Sequence, residues 1–262
     1  MLLRASALRA LDRRREALAD LDEAIRSPTL IPAAHPHASE AFIQVEVSAL
    51  RSELYALLGQ CMHENGELRR ALDAYDAAIQ LQPSHGILLL LRAAANYRCG
   101  AYVDAHDDIR QALAPGAMEG APVEVVAEAQ QLLGLSLARC GEMWGAIAAL
   151  SAALHLVSAD EAGPSTTPPS SPRPASNPAA HPAAHHTAHH TARLLVQRGT
   201  VLLMCERLEG AVEDFSAAIE LRPGWALALH RRGFALKALL QVEGAVGIQR
   251  DPAGSSGMQR GV

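Results

Sequence analysis

The 262-residue chain is 49% hydrophobic yet only 3% aromatic, so its apolar content is largely Ala and Leu, the best helix formers among apolar residues, and an all-helical fold is expected. A formal net charge of −5 argues against nucleic-acid binding, which needs a basic surface, and the longest apolar run, Ile87 to Ala95, falls well short of the ~20 residues of a membrane span. Four cysteines, Cys61, Cys99, Cys140 and Cys205, stand far apart with no CxxC or zinc-ligand spacing, which fits a reduced, intracellular chain.

In chain order, residues 1–31 open with MLLRASALRALDRRR, Arg-rich and without an acid before Asp12. That is the composition of an organelle transit peptide, although the same residues also fit the repeat that organises the rest of the chain. Residues 32–51 form a connector. Its later part, from Ser39, mixes Phe42, Ile43, Val45 and Leu50 with polar residues and reads as an N-terminal extension of the next helix, capped by Ser39. Residues 52–160 hold three helix pairs, at 52–85, 86–119 and 127–160, with Pro122 in the first turn of a lengthened helix that runs to Cys140. Residues 161–191 are rich in Pro, Ser, Ala and His with almost no large apolar side chain; such a segment cannot bury enough surface to offset its ordering entropy, and disorder is expected. Residues 192–250 hold a further pair and a truncated last one. The stretch from Val246 reads as coil and 251–262 as a disordered tail.

The pairs are copies of one unit. ELYALLGQCMHENGELRRALDAYDAAIQLQP (53–83) and RLLVQRGTVLLMCERLEGAVEDFSAAIELRP (193–223) place Gly59, Ala71, Tyr75, Ala78 and Pro83 against Gly199, Ala211, Phe215, Ala218 and Pro223, with intervals of 12, 4, 3 and 5 in both. These residues resemble the tetratricopeptide repeat, a 34-residue helix–turn–helix unit, at its small, small, aromatic, small and proline positions. Glycine and alanine let the two helices of a pair approach, the aromatic fills the gap to the next repeat, and proline ends the second helix. The register continues through Ala93, Ala105, Ile109 and Ala112, through Gly134, Ala146, Leu150 and Ala153, and through Gly233 and Ala245. At the start it is met by Ala5, Ala17, Leu21 and Ala24, and Gly66, Gly100 and Gly141 stand at the turn between helices.

The resemblance covers roughly 190 of the 262 residues and implies an all-α solenoid, a right-handed superhelix of antiparallel helix pairs. In the last unit Gln249 stands where the aromatic belongs and Pro252 where the second small residue belongs. Solenoids end in a polar capping helix. The first helix of that unit is therefore expected to expose its apolar face, as in a fragment, a mispredicted product, or a chain whose end a partner covers. A 34-residue acidic repeat also differs from the longer, basic repeats of helical RNA binders.

No Gly-rich phosphate loop, serine nucleophile elbow or HExxH helix is present, so no enzymatic activity, cofactor or metal is expected. His185-His186-Thr-Ala-His189-His190 has a spacing able to chelate a transition metal on a helix, but it lies in a low-complexity tract and reads as non-functional. Cys99, Cys140 and Cys205 share one repeat position and read as small apolar residues closing the gap between helices.

In the family that the repeats resemble, the first helix of each unit lines a concave surface on which a peptide lies. The matching positions are Gln60 and His63; Leu90, Leu91, Tyr97 and Arg98; Gln131 and Arg139; Arg193 and Gln197; and His230, Arg231, Phe234 and Lys237. The middle of this groove is apolar and its C-terminal end basic. The resemblance thus implies an adaptor or scaffold in the cytoplasm, or in an organelle if the N-terminus is a transit peptide, that binds an extended or helical segment of another protein. An alternative is a co-chaperone recognising the acidic tails of heat-shock chaperones. The positions of that family clamp carry Ala56, Gln60, Leu91, Glu128 and Leu132, with no Lys or Arg among them.

Overall fold

This computed structural model describes residues 16, 19–21, 23, 40–161 and 182–250; residues 40–161 and 182–250 form nine helices, and no described residue lies in a strand. They fall into two compact units divided between Glu142 and Met143. The first contains α1 (Glu40–Glu64), α2 (Leu68–Leu81), α3 (Gly86–Cys99), α4 (Tyr102–Ala112) and α5 (Val123–Cys140). The second contains α6 (Met143–Glu161), α7 (Pro182–Met204), α8 (Leu208–Leu221) and α9 (Ala226–Arg250).

The turn between the helices of a pair is the same each time. Gly66, Gly100 and Gly141 adopt φ of +82°, +84° and +88°, the left-handed conformation that glycine reaches without steric penalty. The residue after each donates its N–H to the carbonyl five residues earlier: Glu67 to Met62, Ala101 to Asn96 and Glu142 to Leu137, each at 2.9 Å. The turn from α7 to α8 makes the equivalent bond, Arg207 to Leu202 at 2.9 Å, but with Glu206 at φ +58° in place of glycine. A side chain in that conformation costs about 1 kcal/mol. Glu206→Gly is expected to stabilise the second unit by about 0.5–1 kcal/mol, seen as a higher midpoint in thermal melts followed by circular dichroism.

Tyr75 and Phe215, 1% and 0% exposed, lie over Gly59 and Gly199; a Cβ at those glycines would stand 2.6 Å and 2.9 Å from the ring edges. Ala71, Ala78, Ala211 and Ala218 are wholly buried beside them. Between α3 and α4 the volumes are exchanged: Ala93 takes the glycine position and Ile109 the aromatic one, and both are buried. Gly134, Ala146, Leu150 and Ala153 are likewise buried. Leu21 joins the cluster of Leu54, Leu58 and Tyr75, whereas Ala5, Ala17 and Ala24 lie outside the described residues. Pro83 and Pro223 each follow a second helix by two residues, where the chain leaves helical geometry.

Several sequence expectations need correction. The segment 161–191 is narrower than its composition implies, since α6 reaches Glu161 and α7 begins at Pro182, so 162–181 alone lies outside the described residues. Alanine-rich sequence favours helix, and proline at the first helical position costs nothing because its missing N–H would be unpaired there. At the other end α9 continues as one helix to Arg250, so 246–250 are helical rather than coil; 251–262 lie outside the described residues. Leu240 occupies the turn position of Gly66, Gly100 and Gly141, where a left-handed backbone costs a side chain about 1 kcal/mol, as at Glu206, and α9 runs through that position without turning. Cys99 and Cys140 are exposed at helix ends and close no gap; Cys61 is the buried cysteine. The extension before α1 starts at Glu40, with Ser39 outside the described residues, and α5 opens directly after Pro122.

Candidate functional site

In the first unit the leading helices α1, α3 and α5 touch in succession, as do α7 and α9 in the second. On the first set, Gln60 and His63 are half-buried. Leu90 and Leu91 are half-buried too, but both pack against core residues, Leu90 beside Ala93 and Ile109 and Leu91 beside Leu88 and Ala78. Gln131 is 7% exposed, so little of it is open to a ligand. Arg98 and Arg139 are exposed.

The carboxyl ends of α1, α3 and α5 converge on a basic and aromatic corner. Arg98 donates through Nη1 to the carbonyl of His63 at 3.2 Å. Tyr97 and Tyr102 stack edge to face with centroids 5.3 Å apart, and the Arg139 guanidinium lies 5.6 Å over the Tyr102 ring. A hydrogen bond to Tyr97 raises the Arg139 pKa above its ordinary value. Burial, and then the neighbouring Arg98, push the His63 pKa down. His63 is therefore neutral at pH 7, and the positive charge of the corner rests on the two arginines.

In the second unit Arg193 is exposed and Gln197 half-buried on α7. Arg231 reaches back from α9 to donate through Nη1 to Thr200 Oγ1 at 2.8 Å, while its buried Nε has no acceptor among the described residues. His230 and Lys237 are exposed, and between them Phe234 is 59% exposed.

Sequence reasoning missed two polar clamps inside the helix pairs. Arg92 on α3 donates from Nε and Nη2 to the two oxygens of Asp108 on α4 at 2.9 and 2.5 Å, and from Nη1 to Asp76 on α2 at 2.7 Å. Asn96 adds a bond to Asp108 at 3.1 Å. Arg198 on α7 repeats the arrangement, holding Asp214 on α8 at 2.9 and 2.6 Å and Ser151 on α6 at 3.1 Å. These bonds raise the pKa of both guanidiniums. Asp108 and Asp214 are buried, so each charge is compensated by a two-pronged pairing. A sequence signal existed: each arginine precedes its aspartate by 16 residues, and Arg4 and Asp20 show the same spacing, Arg4 lying outside the described residues.

A cleft of about 530 Å³ opens where residues 116–122 fold over the turn before α3. It exists because the Gly86 N–H donates to Ala117 O at 2.9 Å, and a Cβ on Gly86 would come within 2.6 Å of that oxygen. Pro83, Ile87, Met118 and Pro122 give it apolar walls, and Ser84, His85 and Glu119 are among its polar lining. Among the described residues no three His, Cys, Asp or Glu side chains converge as a metal site, and no helix is long and apolar enough to cross a membrane.

A family model for the tetratricopeptide repeat matches residues 52–85. Among solved structures, MamA 41-end from Desulfovibrio magneticus RS-1 is similar with a TM-score of 0.57 and 18% identity, over 86% of this chain and 96% of that one. YrrB, described as a TPR protein with an unusual peptide-binding site, gives 0.52 and 23% over 82% and 95%. The anaphase-promoting-complex hetero-tetramer Cut9–Hcn1 gives 0.53 and 16%, over 87% of this chain and 40% of that one. At these identities the likeness is one of fold. No curated protein matches the sequence. With a family match at 52–85 and helix pairs built on the same glycine–aromatic contact at 59/75 and 199/215, the chain carries a tetratricopeptide repeat and shares the all-helical fold of these repeat structures.

Proposed function

We propose that the protein is a non-enzymatic adaptor that holds a segment of a partner protein against its leading helices. The observation that carries this is Phe234, a large aromatic left 59% exposed on α9 between His230, Arg231 and Lys237. An uncovered aromatic with Arg231 and Lys237 one turn away on the same helix suits an aliphatic or aromatic anchor flanked by acidic residues, and aromatic and Arg side chains are the usual hot spots of protein interfaces. The unmet Nε of Arg231 adds a donor of the same sign. A repeat fold supports the reading, since stacked helix pairs offer extended surfaces for a ligand chain. A chaperone tail is not the ligand class favoured, because Ala56, Gln60, Leu91, Glu128 and Leu132 give no cationic clamp in the first unit.

The test is affinity capture from source lysate with mass-spectrometric identification, comparing the native protein with a Phe234→Ser, Lys237→Glu variant. Both side chains are exposed, so the variant is expected to fold normally. Discrete partners that disappear with the variant support the reading. Partners that persist unchanged remove the groove from it.

A further inference from the structure

We propose that the beginning of α7 carries a two-histidine site for a divalent transition-metal ion of the zinc, nickel and copper class, held by His185 and His189. By composition the tract HHTAHHT, residues 185–191, is low complexity, and without a fixed backbone its histidines have no set geometry to offer a metal. The structure supplies that backbone, since α7 is one helix from Pro182 to Met204. On a helix, residues four apart stand on one face with Cβ atoms about 5–6 Å apart. That is the spacing at which two imidazoles on one helix chelate zinc, each through a Zn–N bond of about 2.1 Å.

Position and chemistry both select this pair. His189 is exposed, so an ion reaches it from solvent, whereas His190, which with His186 repeats the spacing on the adjoining face, is half-buried. The pair also begins at the fourth residue of the helix, past the first turn, where the positive end of the helix dipole would oppose a cation. No Asp or Glu occurs anywhere in α7, so the helix offers imidazole nitrogen and no carboxylate oxygen. Nitrogen donors of this kind suit zinc, nickel and copper, while magnesium and calcium require oxygen. Two imidazoles fill two coordination positions and leave the others to water. Closing a ring across one turn also ties residues 185–189 into the helix, which offsets part of the cost of starting a helix there.

The test is isothermal titration calorimetry of the full chain with ZnCl2, NiCl2 and, as the oxygen-seeking control, MgCl2. Beside it runs a variant that keeps the number of histidines but spoils their register: Ala183→His, Ala184→His, His185→Ala, His186→Ala. Its two histidine pairs then stand five to seven residues apart, while the helix keeps its composition. Saturable binding of zinc and nickel, and none of magnesium, is expected for the native chain. Binding should weaken about tenfold or more in the register variant and in His189→Ala, because each loses the second arm of the chelate, and should survive His186→Ala. Zinc should also deepen the circular dichroism signal at 222 nm of the native chain and leave that of the register variant unchanged. Equal binding by the register variant would mean an adventitious ion drawn by histidine number alone, and overturns the proposal. So does loss with His186→Ala but not with His189→Ala, which would put the ion on the adjoining face, and so does the absence of saturable binding to the native chain.

Discussion

Asp214→Ala is expected to cost the second unit about 3–5 kcal/mol, read as a lower midpoint in urea denaturation followed at 222 nm. Asp214 accepts two hydrogen bonds from Arg198, and the remaining partner of that guanidinium, Ser151, carries no charge. Removing the carboxylate leaves a half-buried cation with one neutral acceptor. Asp108→Ala should cost less. Arg92 retains Asp76 at 2.7 Å, although that carboxylate is half exposed and so is partly screened. The double change Arg198→Leu, Asp214→Ala is expected to recover most of the loss, because it installs the pair used one unit type over, Leu58 and Ala74, each 6% exposed. A double variant as unstable as Asp214→Ala alone would show that the clamp is not what the aspartate supports.

Phe215→Ala is expected to cost about 3–5 kcal/mol, since it empties a fully buried ring site between α7 and α8 that the flanking alanines cannot collapse to fill. The glycine beneath it gives a paired test. Gly199→Ala drives a methyl to 2.9 Å from a ring with no room to move, at a cost of about 1–3 kcal/mol. Gly233→Ala, the same substitution at the same register position, meets open space and should stabilise α9 by up to about 1 kcal/mol through helix propensity. Thermal melts of the two variants with opposite signs would establish that register position alone does not decide the role of a repeat glycine; its neighbour does. Equal signs would remove the ring contact as the reason for glycine at 199.

Much of the fold was legible because its contacts recur at fixed spacing. Gly59 with Tyr75 and Gly199 with Phe215 are 16 residues apart in each case, and Gly66, Gly100 and Gly141 mark the turns by backbone geometry that few other residues adopt. The extent of α7 and α9 was not legible from the same signals. The Ala- and His-rich tract before Arg193 reads as low complexity by composition, yet its alanines favour helix once a folded neighbour propagates it. Around Leu240 the markers on either side, Gly233 and Ala245, keep the repeat spacing, so the pattern gave no sign that α9 runs straight through the turn position. The clamps escaped for another reason. Arg92 and Asp108 are charged residues on separate helices, and charge at helical spacing ordinarily marks a solvated face. At the candidate site, the sequence names Arg98, Arg139 and Phe234, while the lowered pKa of His63 and the burial of Gln131 depend on neighbours brought from other helices.

The clamp around Arg92 also has an order in time. Asp76 precedes the arginine by 16 residues and Asp108 follows it by 16. At synthesis rates of about 5–20 residues per second, roughly one to three seconds separate each partner from the arginine as the chain leaves the ribosome. The guanidinium thus emerges to find one carboxylate already in place on α2, and so can latch α3 onto the finished helix before α4 exists. The second carboxylate then arrives to a cation that is already positioned, and the newborn edge is held closed while it grows.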